Sequence, residues 1–353
     1  MRIVVTGGSG NIGTATLRRL ERSGDHELVA LARRVPDDPG DGVRWVGADL
    51  TDEARLGVLV SAFEGADAVV HLAWGFQPSH DLRYLEELGV GGTGRVLEAV
   101  TRAGVPHLVH MSSMGAYSPK VDAAPVDESW PTFGVPSSPY SRHKAAAERL
   151  LDRHESEGHG TVVTRLRPGI VGQRSAGSAL LRYGLPAVVP AAVLDHVPVL
   201  PIDRGLVVPM VHADDVADAI ARVLERRAEG AFNLAASPAI TTQHIADALG
   251  ARVLHVPSSV LRPLASASWH AHLQPVDPGW LDLAFALPLL DTSRARAELG
   301  WSPAYDAETV LREVLDGMRH RASGATPILR PRSVVGAVGD LVSRGPVARR
   351  HRP

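Results

Sequence analysis

Arg2-Ile3-Val4-Val5-Thr6-Gly7-Gly8-Ser9-Gly10-Asn11-Ile12-Gly13 is the stretch whose reading decides the fold. Arg2 to Thr6 is a short apolar run, the pattern of a strand buried on both faces. Gly7, Gly10 and Gly13 follow it at once and lead into a helical stretch read over Thr14 to Ser23; Gly8, Gly10 and Gly13 also fit the spacing G-x-G-x-x-G. Glycines here remove Cβ atoms, so backbone N–H groups of the turn, with Asn11 and Ile12 among them, can approach phosphate oxygens, and the helix N-terminus adds positive potential. Such a motif is weak alone. Placed directly between a strand and a helix, it points to a dinucleotide pyrophosphate site.

Outward from it, apolar strands alternate with helices. Strands are read at Leu28–Ala32, Arg44–Val46, Ala68–Ala73, Leu108–Met111 and Val162–Leu166, with helices over Tyr84–Ala103 and Tyr140–His154. The alternation predicts an α/β fold, a Rossmann-like doubly wound parallel sheet with ligands beyond the carboxyl ends of its strands. After about residue 170 the pattern loosens. The expected organisation is a dinucleotide-binding domain over 1–170, completed by elements near 205–235. Residues 171–204 and 236–320 are read as a smaller C-terminal substrate-binding lobe. Residues 321–353, with seven Arg and a lone Asp340, are read as a solvated basic tail.

Bulk properties narrow the function classes. The 353 residues carry 37 basic and 39 acidic side chains, so no whole-chain field points to nucleic acid. The absence of cysteine excludes disulfides and thiolate metal sites, and no metal is expected. No apolar run approaches the ~20 residues that span a bilayer, and Met1 leads straight into a strand without a leader-like pattern. A cytoplasmic protein with a small-molecule substrate and no nucleic-acid or membrane partner is expected.

Tyr140-Ser141-Arg142-His143-Lys144 places a phenol and an ammonium four residues apart, on one face of a helix. A neighbouring ammonium favours the phenolate, which makes the Tyr a better proton shuttle near neutral pH. The end of the second strand reads Ala32-Arg33-Arg34. No carboxylate stands there for ribose hydroxyls, and a guanidinium suits a 2′-phosphate, so NADP(H) is the preferred cofactor, with NAD(H) the alternative.

With these motifs the chain resembles the extended short-chain dehydrogenase/reductase family, often called NAD-dependent epimerase/dehydratases. The resemblance runs from residue 1 to about 318. It rests on Thr6–Gly13, Asp49-Leu50-Thr51-Asp52, His71-Leu72-Ala73, Ser112-Ser113, Tyr140 with Lys144, Arg167-Pro168-Gly169, Val211–Val216 and Leu299-Gly300-Trp301-Ser302-Pro303. It implies a catalytic Ser113, Tyr140 and Lys144, with Ser113 on the substrate oxygen, Tyr140 passing the proton, and Lys144 on the nicotinamide ribose and lowering the Tyr140 pKa. It implies cofactor contacts at Gly7, Gly10, Asn11, Ile12, Gly13, Arg33, Asp49, Leu50, Leu72, Ala73 and Pro168, and a possible homodimer through the Tyr140 helix. His71 and His212 are read as satisfied structural residues and Asp215 as a helix cap.

Two departures stand out. The family's Asn-Val-x-Gly-Thr reads Gly89-Val90-Gly91-Gly92-Thr93, and the Asp-Glu pair of its dehydratases reads Met114-Gly115. The second argues against a 4,6-dehydratase. Candidate substrate contacts Trp74, Phe76, Met114 and Gln173 are mostly apolar. Arg174 and Arg204 are the available cations for a diphosphate. Oxidation or reduction of a carbonyl or alcohol is therefore preferred; alternatives are a nucleotide-sugar epimerase using the same three residues, and an NADP-sensing protein without chemistry.

Overall fold

The computed structural model describes residues 1–38, 40–75, 79–184, 191–274 and 276–331, with the backbone alone for 182–184. Strand β1 (Arg2–Thr6) runs into the glycine turn, and α1 (Asn11–Glu21) starts inside the motif, at Asn11 rather than Thr14. Two glycines make that possible. Gly7 sits at φ +73°, and a Cβ on Gly13 would lie 2.3 Å from the Gly7 carbonyl oxygen. There follow β2 (Glu27–Ala32), β3 (Val43–Gly47), α2 (Leu56–Phe63), β4 (Ala68–His71) and α3 (Leu82–Glu86). A π turn (Glu87–Gly91) joins α3 to α4 (Gly92–Ala103), so the single helix read from the sequence is interrupted at its glycines. Next come β5 (His107–Met111), α5 (Pro139–Ser156), β6 (Val162–Pro168), β7 (Ile170–Gly172), α6 (Gly177–Gly184), β8 (Val199–Ile202), β9 (Val207–Val208), β10 (Met210–His212), α7 (Ala213–Arg226) and β11 (Gly230–Leu234). The chain continues through β12 (Ile240–Thr241), α8 (Thr242–Leu249), β13 (Arg252–His255), α9 (Ser258–His270), α10 (Pro278–Ala286), α11 (Ser293–Leu299) and α12 (Ala307–Arg319).

Seven strands form one parallel sheet in the order β11-β6-β5-β4-β1-β2-β3. Alternate side chains feed two cores. Ile3, Val5, Ala30, Val70 and Val109 pack with Leu17 of α1, Ile220 of α7 and Trp301. Val4, Val29, Leu31, Val69 and Leu108 pack with Phe63 of α2, Val100 of α4 and Leu151 of α5. Strand order reverses between β1 and β4, which is where a doubly wound sheet opens its crevice. Among the described residues no helix is long and apolar enough to cross a membrane.

Beyond the sheet, β12 pairs antiparallel with β9, β13 pairs parallel with β8, and α12 packs on α6, α8 and β10. The α7 cap is His212, whose ring nitrogen accepts from the Asp214 N–H at 3.1 Å. This corrects the reading of Asp215 as the cap. Asp215 lies inside the first turn, and its buried carboxylate accepts from Ala304 N (2.8 Å) and Tyr305 N (3.3 Å), tying α7 to the loop before α12. The segment read as a solvated tail begins with packed residues: Thr326 and Leu329 are both buried. Residues 332–353 lie outside the described residues.

Candidate active site

The phosphate turn is braced from several elements. Asn11 Nδ2 donates to Val171 O (3.1 Å), and Gln173 Nε2 donates to Asn11 O and Oδ1 (2.8 Å each). A Cβ on Gly7 would sit 2.6 Å from Ala73 N, so Leu72 and Ala73 form the opposite wall. The end of β2 faces a cavity of about 670 Å³ lined by Arg33, Gly47, Ala48, Asp49, Thr51, Asp52, Glu53 and Arg55. Asp49 accepts from Thr51 N (2.9 Å) and Thr51 Oγ1 (2.8 Å), Leu50 is buried, and Arg33 donates to the Tyr84 hydroxyl. Pro168, the last residue of β6, is buried at the carboxyl edge of the sheet. A glycine-lined turn leading to a polar groove past β2 fits an extended dinucleotide.

Ser113 follows β5 and accepts from Gly115 N at 2.9 Å. Tyr140 enters on the first turn of α5, capped by Ser138 with Pro139 beside it. The two hydroxyl side chains share a hydrogen bond. Trp280 of α10 stacks on the Tyr140 ring (centroids 4.9 Å, 30°), and Trp74 meets it edge-on at 6.4 Å. The other flank is bare by necessity: a Cβ on Gly115 would lie 2.7 Å from Tyr140 Cε1. Burial pushes the phenol up to about 12, with the Ser113 bond acting the other way.

Lys144 lies one turn further along α5 and is buried. Its ammonium donates to Met111 O (2.8 Å) and sits 3.5 Å from the centroid of the Trp74 ring. Burial holds it well below the ordinary lysine range, with Glu148 acting to raise it. In this arrangement the Lys144 ammonium is held by a carbonyl and an indole face.

Trp74 reaches Lys144 because residue 89 is glycine. A Cβ there would come within 2.9 Å of Trp74 Cη2 and Cζ2. Beneath lies a row of polar side chains in register across four strands, Thr6, His71, His110 and Arg165. Thr6 Oγ1 meets His71 Nδ1 at 2.7 Å, His71 Nε2 meets Thr93 Oγ1 at 3.2 Å, and Thr93 donates to Gly89 O at 2.6 Å. Since Thr93 spends its proton on Gly89 O, His71 carries its proton on Nε2. Burial lowers His71 to about 3 and His110 well below the usual histidine range. His71 and His212 are thus satisfied structural residues, as read.

Behind the site is a buried network that sequence reasoning missed. Arg167 Nε and Nη2 donate to the two Glu148 oxygens at 2.9 and 3.0 Å, Ser112 Oγ donates to Glu148 Oε1 at 2.5 Å, and Arg167 Nη1 reaches the Tyr117 hydroxyl at 3.1 Å. Although burial alone would raise it, the Arg167 guanidinium keeps the Glu148 carboxyl below its usual value. The available signal was spacing: Glu148 is four residues after Lys144 on the same helix. Trp280 was also missed; it lies 140 positions after Tyr140, with no local pattern linking them.

The substrate candidates divide. Trp74 lies in the site. Phe76 lies outside the described residues. Met114 is buried in an apolar cluster with Tyr117, Val135 and Leu283 that Tyr140 and Trp280 pack against. Gln173 is turned away: it is buried, and its amide braces Asn11. Arg174 is paired with Asp316 at 2.6 Å on the surface rather than aimed at the crevice.

Fold and site together define a Rossmann-type dinucleotide protein with a Ser-Tyr-Lys constellation. The model of the NAD dependent epimerase/dehydratase family matches residues 3–235, and the chain belongs to that family. An uncharacterized protein of Mycobacterium tuberculosis is 28% identical over 91% of this chain, which spans about 30% of that relative's length. An uncharacterized epimerase/dehydratase of Staphylococcus aureus is 26% identical, with 91% of this chain and 97% of the relative covered. Among solved structures, the UDP-glucose 4-epimerase of Thermus thermophilus in complex with NAD is 25% identical (TM-score 0.67; 90% and 99% covered). The dTDP-glucose 4,6-dehydratase DesIV of Streptomyces venezuelae, with NAD bound, is also 25% identical (TM-score 0.69; 94% and 100% covered).

Proposed function

We propose that the protein is a nicotinamide-dinucleotide-dependent oxidoreductase that acts on a carbonyl or alcohol carbon with an apolar flank, and that it prefers NADP(H) over NAD(H). The observation that carries this reading is the hydrogen bond shared by Ser113 and Tyr140 inside a wall of Trp74 and Trp280. The bound nicotinamide supplies or takes up hydride. Ser113 orients the substrate oxygen, Tyr140 exchanges the proton with it, and Lys144 holds the nicotinamide ribose. Ribose hydroxyls compete with Met111 O and the Trp74 face for the ammonium. An indole moved aside leaves the charge nearer the phenol, which lowers its pKa from the value it has here. The aromatic wall and the pairing of Arg174 with Asp316 favour an apolar substrate over a diphosphate.

The test is Tyr140→Phe. Turnover of NADP(H) with a panel of carbonyl and alcohol substrates should fall about 10²–10⁴-fold while dinucleotide affinity is kept; unchanged turnover would exclude Tyr140 as the proton carrier. A second reading, nucleotide-sugar epimerisation with NAD, is favoured by the likeness to the Thermus epimerase. It requires interconversion of a sugar nucleotide with no net change in nicotinamide absorbance. A 4,6-dehydratase is disfavoured, since an acidic side chain at residue 115 collides with the Tyr140 ring.

A further inference from the structure

We propose that residues 321–331 are a working part of the dinucleotide site: Thr326 locks the turn that receives the pyrophosphate. This rests on the reading above, in which a dinucleotide lies over the turn.

The segment is built in. Ala322 N donates to Gly317 O (2.7 Å), Ser178 N to Ala322 O (2.8 Å) and Ser178 Oγ to Arg321 O (2.7 Å), fixing it to α6 and α12. Gly324 N to Leu329 O (2.8 Å) and Leu329 N to Thr326 O (3.0 Å) close it into a loop. Leu329 is 2% exposed, against Ala176 and Ala179. From this loop the buried Thr326 Oγ1 donates to Ser9 O at 2.7 Å. The same Ser9–Gly10 peptide gives its N–H to Gly7 O at 3.0 Å. Both ends of one peptide plane in the turn are bonded, so the turn is held in a single orientation before any ligand arrives. The segment lies beyond residues 3–235, the stretch matched by the family model.

Full-length Thr326→Val and Thr326→Ser would be titrated calorimetrically with NADP+ and NAD+ at one salt concentration. Thr326→Val should weaken both about equally, several-fold, with Thr326→Ser restoring affinity. Thr326→Val with wild-type affinities would overturn the lock while the cofactor reading stands. If the wild-type chain binds neither dinucleotide, the cofactor reading falls as well.

Discussion

Residue 89 decides the immediate surroundings of Lys144. The sequence shows a glycine where the family pattern it resembles has Asn, and the natural inference is a lost polar contact. The structure adds what the missing side chain admits, the Trp74 ring, which lies over the ammonium. Gly89→Ala should therefore cost about 1–3 kcal/mol by overpacking. In a Trp74→Leu background the same change should be neutral or stabilise by up to about 1 kcal/mol, since Ala is the better helix former. Urea unfolding of the four proteins checks this, and equal effects in both backgrounds would show that Gly89 does not exist to admit the indole. Gly115 is the same kind of residue. Its absent Cβ was legible only as a missing acid pair; the reason, the Tyr140 ring edge at 2.7 Å, needed coordinates.

At the scale of the element, α5 carries Tyr140, Lys144 and Glu148 at four-residue intervals, so one helix face holds the proton carrier, the ammonium and a buried carboxylate. Glu148 is 1% exposed and Arg167 6%, so solvent does little to screen them. Glu148→Gln leaves Arg167 buried without its counter-charge and should cost about 3–5 kcal/mol. Glu148→Leu combined with Arg167→Met should cost clearly less than the two single changes added together. Denaturant melts of the set decide the matter; simple additivity would mean the pair is not coupled. The α3–α4 run was legible as a helix from its apolar spacing. Its π turn was not, because a glycine cluster weakens a helix without saying how the chain will bend.

The whole molecule buries an unusual load of neutral histidine in its sheet. His71 titrates near 3 and His107 near 4, His110 is lowered well below the usual range, and in each case burial is the first cause. In the unfolded chain all three return to about 6.5. The unfolded state therefore binds more protons between those values. Stability is fully present above about pH 6.5 and falls as the pH drops, by up to about 1.4 kcal/mol per pH unit for each histidine. Chemical denaturation at pH 7, 6 and 5 should show that decline, and a flat profile would mean these rings are protonated without penalty. The doubly wound parallel sheet and the crevice at its strand ends were legible because strand burial, glycine spacing and strand–helix alternation are local and periodic; the strand order was not. So were the residue types of the candidate centre, Ser113, Tyr140 and Lys144. What they touch was not: Trp74 on Lys144, Trp280 on Tyr140, Gln173 on Asn11 and Thr326 on Ser9 join positions far apart in the chain, and no period links them. The sequence by itself determined the Rossmann frame and the family of this protein, because those follow from short-range pattern. Only the tertiary structure decided which charges are spent, which rings close over the site, and that a segment expected to be free is bonded to the phosphate turn, because burial and long-range contact exist only once the chain has folded.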